Sequence, residues 1–141
     1  MCIRQASNND FPYIRKLPVQ LTSRPVTSLL PKHYRVLIQE ADVRLLVFEG
    51  THAVSAFMAL RFMPAIDSAI RFLVIIHLGL DRHAVRQGIA EQLEAHAADI
   101  ADKHHCAALL VKAKNLSAEV IRFYHGQGYV LKTETLMKKI K

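Results

Sequence analysis

The sequence predicts a mixed α/β fold, in which helices cover both faces of one central sheet. Segments with the two-residue period of strands alternate along the chain with segments that have the 3.6-residue period of helices. A nearly apolar strand candidate at residues 69–80 is joined through a helix to another at 106–113, which favours a parallel pair with a right-handed crossover. The length matches one domain, so we expect residues 1–141 to form a single folded unit.

The first third of the chain predicts one strand and two helices. Residues 2–6 are a short strand candidate. A helix should then run to about Leu17, since Asp10 can cap it and Pro12 suits its first turn. Helical spacing predicts a second helix that ends near residue 42. Its apolar positions are Leu29, Leu30, Tyr34, Leu37 and Ile38.

The middle of the chain predicts a hairpin and a central strand. Two β-rich runs flank Gly50 and Thr51, so we expect the hairpin to turn at these residues. Residues 64–68 should form a loop. The strand at 69–80 is apolar almost throughout, which suits a strand covered on both faces.

The second half of the chain predicts two helices and three strands. Helical spacing begins at Gly88 and precedes the strand at 106–113. Ser117 can then cap a helix that ends near Gly126 or Gly128. Across its start, Leu116 and Ile121 are placed as a hydrophobic staple. Two short strands, "YVLK" and "ETLMKKI", close the chain, which makes about seven strands and four helices in all.

The charge, the cysteines and the apolar stretches of the chain limit the kinds of partner that we expect. A net charge of +7 suits an anionic partner, but the Lys and Arg residues are scattered rather than arranged as a basic stripe, so we expect no nucleic acid. Two cysteines without a signal-peptide core favour the reducing cytoplasm. The longest apolar stretch, "FLVIIHLGL", is about half of a membrane crossing, so no membrane partner is expected.

Three stretches of the chain resemble the GCN5-related N-acetyltransferase (GNAT) superfamily, and together they span nearly its whole length. They are "IRQASNNDFPYIRKL", "LGLDRHAVRQGIAEQL" and "FYHGQGY" with "LMKK" after it. The resemblance implies a GNAT fold, with a mixed, mostly antiparallel sheet and a splayed parallel pair formed by the strands at 69–80 and 106–113. It also implies acetyl coenzyme A as co-substrate and a primary amine as acceptor.

The central stretch looks like the family's pyrophosphate motif. The resemblance assigns it to Val85, Arg86, Gln87, Gly88, Ile89 and Ala90. Val85 stands where the family has Arg or Gln, and its neighbours Arg86 and Gln87 can supply that contact. A loop that leads into a helix N-terminus offers unpaired N–H groups to a diphosphate, and glycine permits close approach. We therefore expect the amides from Arg86 through Ala90 to converge on a diphosphate; a glycine that merely eases a tight turn is the alternative.

The strand before this loop should hold the pantetheine arm of the cofactor. In the family the arm pairs with freed backbone of the first splayed strand, as an added strand would. The resemblance carries this role to main-chain groups near Leu78 and Leu80, and Gly79 is compatible with a bulge there.

Two side chains are the catalytic candidates. Tyr124 occupies the position of the family's general acid, and an ordinary buried aromatic is the alternative. His77 is the only titratable base with a suitable intrinsic pKa in residues 69–80, which hold no carboxylate. A core histidine bonded to a carbonyl is its alternative role. Asn115 resembles the asparagine that opens the last family segment, two residues further from the tyrosine than usual.

No metal site is predicted. The run "HHC" at His104 to Cys106 places neighbouring side chains on opposite faces of a strand, and no second ligand pair with zinc spacing exists. A polar loop before a buried cysteine is the simpler interpretation.

The acceptor cannot be read from the motifs. The segment joining the first two helices, the loop from Pro64 to Ser68 and the C-terminal hairpin should grip it. GNAT domains often pair as dimers. A catalytically weak or inactive module that binds acyl coenzyme A and regulates a partner is the alternative function.

Overall fold

The structure is a computed structural model that describes residues 2–51, 53–64 and 69–140. Its strands are β1 (Cys2–Gln5), β2 (Val19–Gln20), β3 (Val43–Glu49), β4 (Val54–Pro64), β5 (Arg71–Leu80), β6 (Ala108–Lys112), β7 (Val130–Lys132) and β8 (Thr135–Lys139). Its α-helices are α1 (Phe11–Ile14), α2 (Pro31–Leu37), α3 (Arg82–Arg86), α4 (Ile89–Lys103) and α5 (Ala118–Gly126).

The sheet is mixed and mostly antiparallel, as predicted. Seven strands follow the order β1-β3-β4-β5-β6-β8-β7, and β2 adds to β5 outside this path. The parallel pair is β5 and β6, registered over only three residues, from Phe72 with Ala108 to Val74 with Leu110. Because β5 continues to Leu80, its C-terminal half extends beyond the residues that pair with β6. The two parallel strands therefore diverge, which is the predicted splay.

Helices lie on both faces because neighbouring residues of the strands point to opposite sides. On one face, α1 and α2 pack around Ile14 and Tyr34 against β3 and β4. On the other face, α3, α4 and α5 pack against β4, β5 and β6, with Leu93 and Tyr124 fully buried. None of the helices in the described ranges combines the length and hydropathy of a membrane crossing.

The predicted ends of the first two helices are wrong. The first helix stops at Ile14 rather than Leu17, and the second runs only from Pro31 to Leu37. Asp10 does not cap α1 with its side chain. Its carboxylate instead accepts the N–H of Ser7 at 2.7 Å and both terminal nitrogens of Arg4, so it ties the start of α1 to β1.

The structure adds two short elements that periodicity did not reveal, β2 and α3. The two residues of β2 are too few to show a pattern, and the five residues of α3 cover little more than one turn. Asp81 begins α3 by accepting the N–H of Ala84 at 2.6 Å. The segment before Gly88 is therefore helical in part, rather than the continuous loop that we predicted.

The predicted bulge is real but lies at another residue. Ala59 pairs with His77 and Leu60 with Ile75, so the extra residue in β5 is Ile76. Gly79 stays in register with Phe57. The hairpin turn is as predicted, with Gly50 N–H bonded to Ala53 O at 2.9 Å. The loop was predicted at 64–68, but Pro64 is the last residue of β4, and residues 65–68 lie outside the described residues.

Candidate functional site

The turn between α3 and α4 depends on Gly88. Its φ of 74° and ψ of 24° lie in the left-handed region, which a residue with a side chain adopts at a cost. A Cβ added there would meet no heavy atom within 4 Å. The glycine is therefore required by the backbone, and the space in front of it is open to a ligand.

The amides that could bind an anion begin later than predicted. Gln87 N–H donates to Ala84 O at 3.1 Å, and Gly88 N–H donates to Val85 O at 3.4 Å. The ladder of α4 starts with Gln92 N–H, which donates to Gly88 O at 3.2 Å. The amides of residues 89–91 precede that bond and have no acceptor within the helix. Three consecutive N–H groups at the positive end of α4 are thus left without an acceptor in the helix.

The side chains of the predicted motif divide into two groups. Ile89 and Ala90 are buried in the core, so only their main chain can reach a ligand. Val85, Arg86 and Gln87 are exposed on the other side of the turn. Arg86 and Gln87 can extend toward a bound phosphate, whereas Val85 offers only apolar contact.

A cavity of about 400 Å³ lies between β2, the start of α4 and α5. Its walls are mainly apolar and include Val19, Leu21, Val85, Val120 and Phe123. The acidic residues Glu91 and Glu119 also line it. Two negative charges disfavour an anion inside this cavity, so its chemistry suits an uncharged, partly apolar chain.

Residues 19–26, which we call the strap, cover the C-terminal half of β5. Val19 pairs with Leu80 and Gln20 with Gly79, antiparallel to β5. Leu21 N–H then donates to Leu78 O at 2.8 Å, and Leu78 N–H donates to Thr22 Oγ1 at 3.3 Å. Both main-chain groups of Leu78 are thus engaged by the chain itself.

Side chains hold the strap in place. The Gln20 carboxamide donates to Leu17 O at 2.8 Å and accepts the Val26 N–H at 3.0 Å, which fixes the curve of the segment. Val26 is fully buried, and a Cβ added at Gly79 would approach its methyl groups at 3.1 Å. Glycine at 79 therefore lets the strap lie close against β5, rather than forming a bulge.

Tyr124 lies under the strap. Its side chain is fully buried on α5, and its hydroxyl donates to Leu21 O at 2.5 Å. Burial, and then the nearby charge of Glu94, raise the pKa of Tyr124, so the phenol stays protonated at neutral pH. A protonated hydroxyl at the splay can donate a hydrogen bond or a proton, which is what the predicted role requires.

His77 lies just after the bulge at Ile76. Its side chain is 5% exposed, and its Nδ1 is 3.0 Å from Arg24 O in the strap. Because only a protonated nitrogen can donate to a carbonyl, this contact assigns the proton of the neutral ring to Nδ1. Burial lowers the pKa of His77, so the ring is neutral near pH 7. The carbonyl contact is the one expected of a core histidine, and Nε2 is left as the basic nitrogen.

A second cavity, of about 200 Å³, opens where β5 and β6 diverge. Strap residues Thr22, Ser23 and Arg24 form one side. The other wall includes Ile76 and Val111. The charged side chains that the described residues place on its wall are all cationic: Arg24, Arg61 and Lys112. Arg61 is paired with Glu40 at 2.9 Å.

Asn115 lies apart from the cavities. It is exposed between β6 and α5, with a φ of 67° that asparagine tolerates better than most residues. Neither cavity described above includes it on its wall. Its conformation explains why this residue type suits the turn.

The "HHC" run forms a turn that ends before β6 begins at Ala108. The His104 ring packs on Phe62 with centroids 4.9 Å apart, and Cys106 is buried. Burial raises the pKa of the Cys106 thiol. Over residues 2–51, 53–64 and 69–140, no three His, Cys, Asp or Glu side chains lie close enough to hold a metal ion.

Sequence reasoning missed the strap residues of the site. Leu21, Thr22 and Arg24 contact Tyr124, Leu78 and His77 through two carbonyls, one amide and one hydroxyl. Three of these four groups belong to the main chain, which carries no signature in the sequence. The only signal was the break in periodicity after α1.

Comparison with known proteins agrees with this fold. A tetramutant of the BH1408 protein from Bacillus halodurans superposes with a TM-score of 0.80 at 17% identity, covering 94% of this chain and 96% of that one. The ribosomal-protein-S18-alanine N-acetyltransferase from Escherichia coli gives a TM-score of 0.73 at 18% identity, covering 99% and 94%. No curated protein matches the sequence.

The family model described as "Acetyltransferase (GNAT) family" matches residues 11–129. That range contains α1, the strap, the splayed pair, the turn at Gly88 and Tyr124. The chain therefore belongs to the GNAT acetyltransferase family.

Proposed function

We propose that the protein transfers the acetyl group of acetyl coenzyme A to a primary amine. The observation that carries the proposal is the left-handed turn at Gly88, where open space lies beside three amides that have no acceptor in the helix, at the N-terminus of α4. These amides would hold the diphosphate of the cofactor. The apolar cavity beside them would take the part of the uncharged pantetheine arm that is nearest the diphosphate, and the rest of the arm would lie along β5.

The chemistry needs three groups. The acceptor amine must lose a proton before its nitrogen attacks the thioester carbon; a donor must meet the carbonyl oxygen as charge develops there; and the departing sulfur must gain a proton. Tyr124 would protonate the sulfur, because its hydroxyl is protonated and lies at the splay. His77 would accept the proton of the amine through Nε2, directly or through water.

The acceptor would enter the smaller cavity, between the strap and the diverging strands. Arg24 and Lys112 on its wall favour an amine that also carries a carboxylate or a phosphate. The distance between the acidic group and the amine would set which substrate fits.

A module that binds acyl coenzyme A without turnover is the second candidate. It is favoured by the strap, which engages both main-chain groups of Leu78 and the hydroxyl of Tyr124. It also fits Val85, which replaces a polar position of the family motif.

Calorimetry with acetyl coenzyme A, followed by a thiol-release assay over a panel of amines, tests these candidates. The enzyme predicts binding and release of coenzyme A, with acidic amines such as amino acids preferred over matched amides or esters. Binding without release across the panel would favour the module. Absence of binding, both by the wild type and by variants in which the strap is loosened, would reject both.

A further inference from the structure

We infer that the strap is a gate that occupies the place of the pantetheine arm and must leave β5 before acetyl coenzyme A can bind fully. This inference rests on the proposed function, because it concerns access to the same site. It assigns residues 19–26 a regulatory role in addition to their part in the fold.

The first argument is competition for the same hydrogen-bonding groups. Beyond its three paired residues with β6, one edge of β5 is available for strand addition. The strap already uses that edge, with pairs at Leu80 and Gly79 and bonds to both main-chain groups of Leu78. A ligand chain cannot bond to these groups while the strap holds them.

The second argument is the position of the two cavities. Successive strap residues line them: Val19, Gln20 and Leu21 border the larger cavity, and Thr22, Ser23 and Arg24 border the smaller one. The strap thus lies between the larger cavity at the start of α4 and the smaller cavity where β5 and β6 diverge. A cofactor bound at the first must cross the strap to bring its acetyl group to the second.

The third argument is that the strap also occupies the two catalytic candidates. Leu21 O accepts the Tyr124 hydroxyl, and Arg24 O contacts His77 Nδ1. Release of the strap would therefore free the Leu78 backbone and the Tyr124 hydroxyl in one step. The closed form would bind the cofactor weakly, in proportion to the fraction of open molecules.

The bonds that a ligand would make offset part of the cost of opening the strap. Its bonds to β5 replace those that the ligand would make, so opening in the presence of ligand exchanges hydrogen bonds instead of losing them. Residues in the middle of the strap, such as Ser23 and Arg24, are exposed. The Gln20 carboxamide is the side-chain contact that holds the curve of the segment.

Two substitutions remove side-chain hydrogen bonds that hold the strap in its closed position. Gln20→Ala removes both carboxamide bonds, and Thr22→Val removes the acceptor of Leu78 N–H. Each should strengthen acetyl coenzyme A binding about tenfold, since one hydrogen bond of the closed form is worth up to that factor. Gln5→Ala in β1 and Thr27→Val are matched controls, exposed in both cases, and should leave the dissociation constant unchanged.

The direct test is hydrogen exchange at Leu21 N–H, measured by NMR with and without saturating acetyl coenzyme A. This amide should be protected in the free protein and exchange at least tenfold faster in the complex. If the wild type binds while Leu21 stays protected and both loosened variants keep its affinity, the gate is wrong and the proposed function stands. Binding by the variants alone would support the gate. Failure of every variant to bind would overturn the gate together with the proposed function.

Discussion

At the scale of single residues, the left-handed conformation of Gly88 predicts how a substitution there changes the stability of the fold. Gly88→Ala places a side chain at a φ of 74°, which should cost roughly 1–2 kcal/mol of unfolding free energy. Gly126→Ala is the matched control, because an added Cβ also meets open space there without a positive φ. It should be neutral or stabilising by up to about 1 kcal/mol. Urea denaturation measures both, and equal effects would contradict the backbone explanation.

Tyr124 makes a kinetic prediction. Tyr124→Phe should lower kcat by roughly 10²-fold or more, because the departing sulfur loses its proton donor. It should not weaken acetyl coenzyme A binding, since the hydroxyl is bonded to Leu21 O in the free protein. The steady-state rate and a calorimetric titration separate the two effects. Tyr13→Phe, at an exposed tyrosine, should change neither, and an unchanged kcat in Tyr124→Phe would remove Tyr124 from catalysis.

The buried His77 predicts how the stability of the fold depends on pH. Its pKa is lowered by burial, so below about pH 6.5 the unfolded chain takes up a proton before the folded protein does. Its contribution to stability is therefore full above that pH and declines as the pH falls, by at most about 1.4 kcal/mol per pH unit. His77→Gln, which can still donate to Arg24 O, should lack this component. Urea titrations of both proteins from pH 8 to pH 5 test it, and a constant difference in stability would contradict it.

At the scale of secondary-structure elements, one buried network joins α4 to the C-terminal hairpin. Glu94 is 2% exposed, and its Oε2 accepts from Tyr129 Oη at 3.0 Å and from Lys138 Nζ at 2.9 Å. This contact joins α4 to Tyr129, which follows α5, and to β8. The network thus ties α4 to the strand that pairs with β6.

Removing one partner of this network should be costly. Lys138→Met leaves the Glu94 carboxylate buried without its cation and should lower the unfolding free energy by about 3 kcal/mol. Lys103→Met is the control, since the exposed Lys103–Asp99 pair, with side chains 72% and 53% exposed, should matter by less than about 0.5 kcal/mol. Thermal and urea unfolding measure the difference, and two similar values would show that the network is not energetically special.

The length of each element explains whether it could be predicted from the sequence. Long strands and α4 carry enough residues for their periodicity to be read, and Ser117 caps α5 as predicted, accepting Val120 N–H at 3.2 Å. The strand β2 and the helix α3 are too short for a period, and both border the site. Their conformation follows from pairing with β5 and from the Asp81 cap.

At the scale of the whole molecule, the two halves of the core share strands. Leu46 and Leu60 belong to the cluster on the α4 side, whereas Leu45 and Ala59, their neighbours in sequence, belong to the cluster on the α1 side. Neither cluster can separate from the sheet without exposing the other. We therefore propose that the chain is one domain that unfolds cooperatively.

We therefore predict that the protein unfolds in a single transition. Far-ultraviolet circular dichroism and tyrosine fluorescence should give the same midpoint in urea, because the tyrosines Tyr34 and Tyr124 report on opposite faces. Two separated midpoints would show that one face melts on its own. The chain has no tryptophan, so the fluorescence comes from tyrosine alone.

The sequence by itself determined the fold class, the strand at 69–80, the helix that starts after Gly88 and the likeness to GNAT proteins. These depend on local patterns: the period of apolar residues, the position of glycine and the order of short motifs. Its predictions for the site residues, including Tyr124, His77 and the motif at 85–90, stay predictions. Periodicity and motif order do not extend to contacts between distant segments.

Only the tertiary structure decided how the site is closed. The strap lies on β5 through main-chain bonds between residues about 57 positions apart, such as Leu21 N–H with Leu78 O. Every residue but proline carries the same N–H and C=O groups. The identity of the side chains therefore does not indicate which main-chain groups will pair. The burial of Tyr124 and His77, and with it the direction of their pKa changes, likewise arises from packing between distant segments.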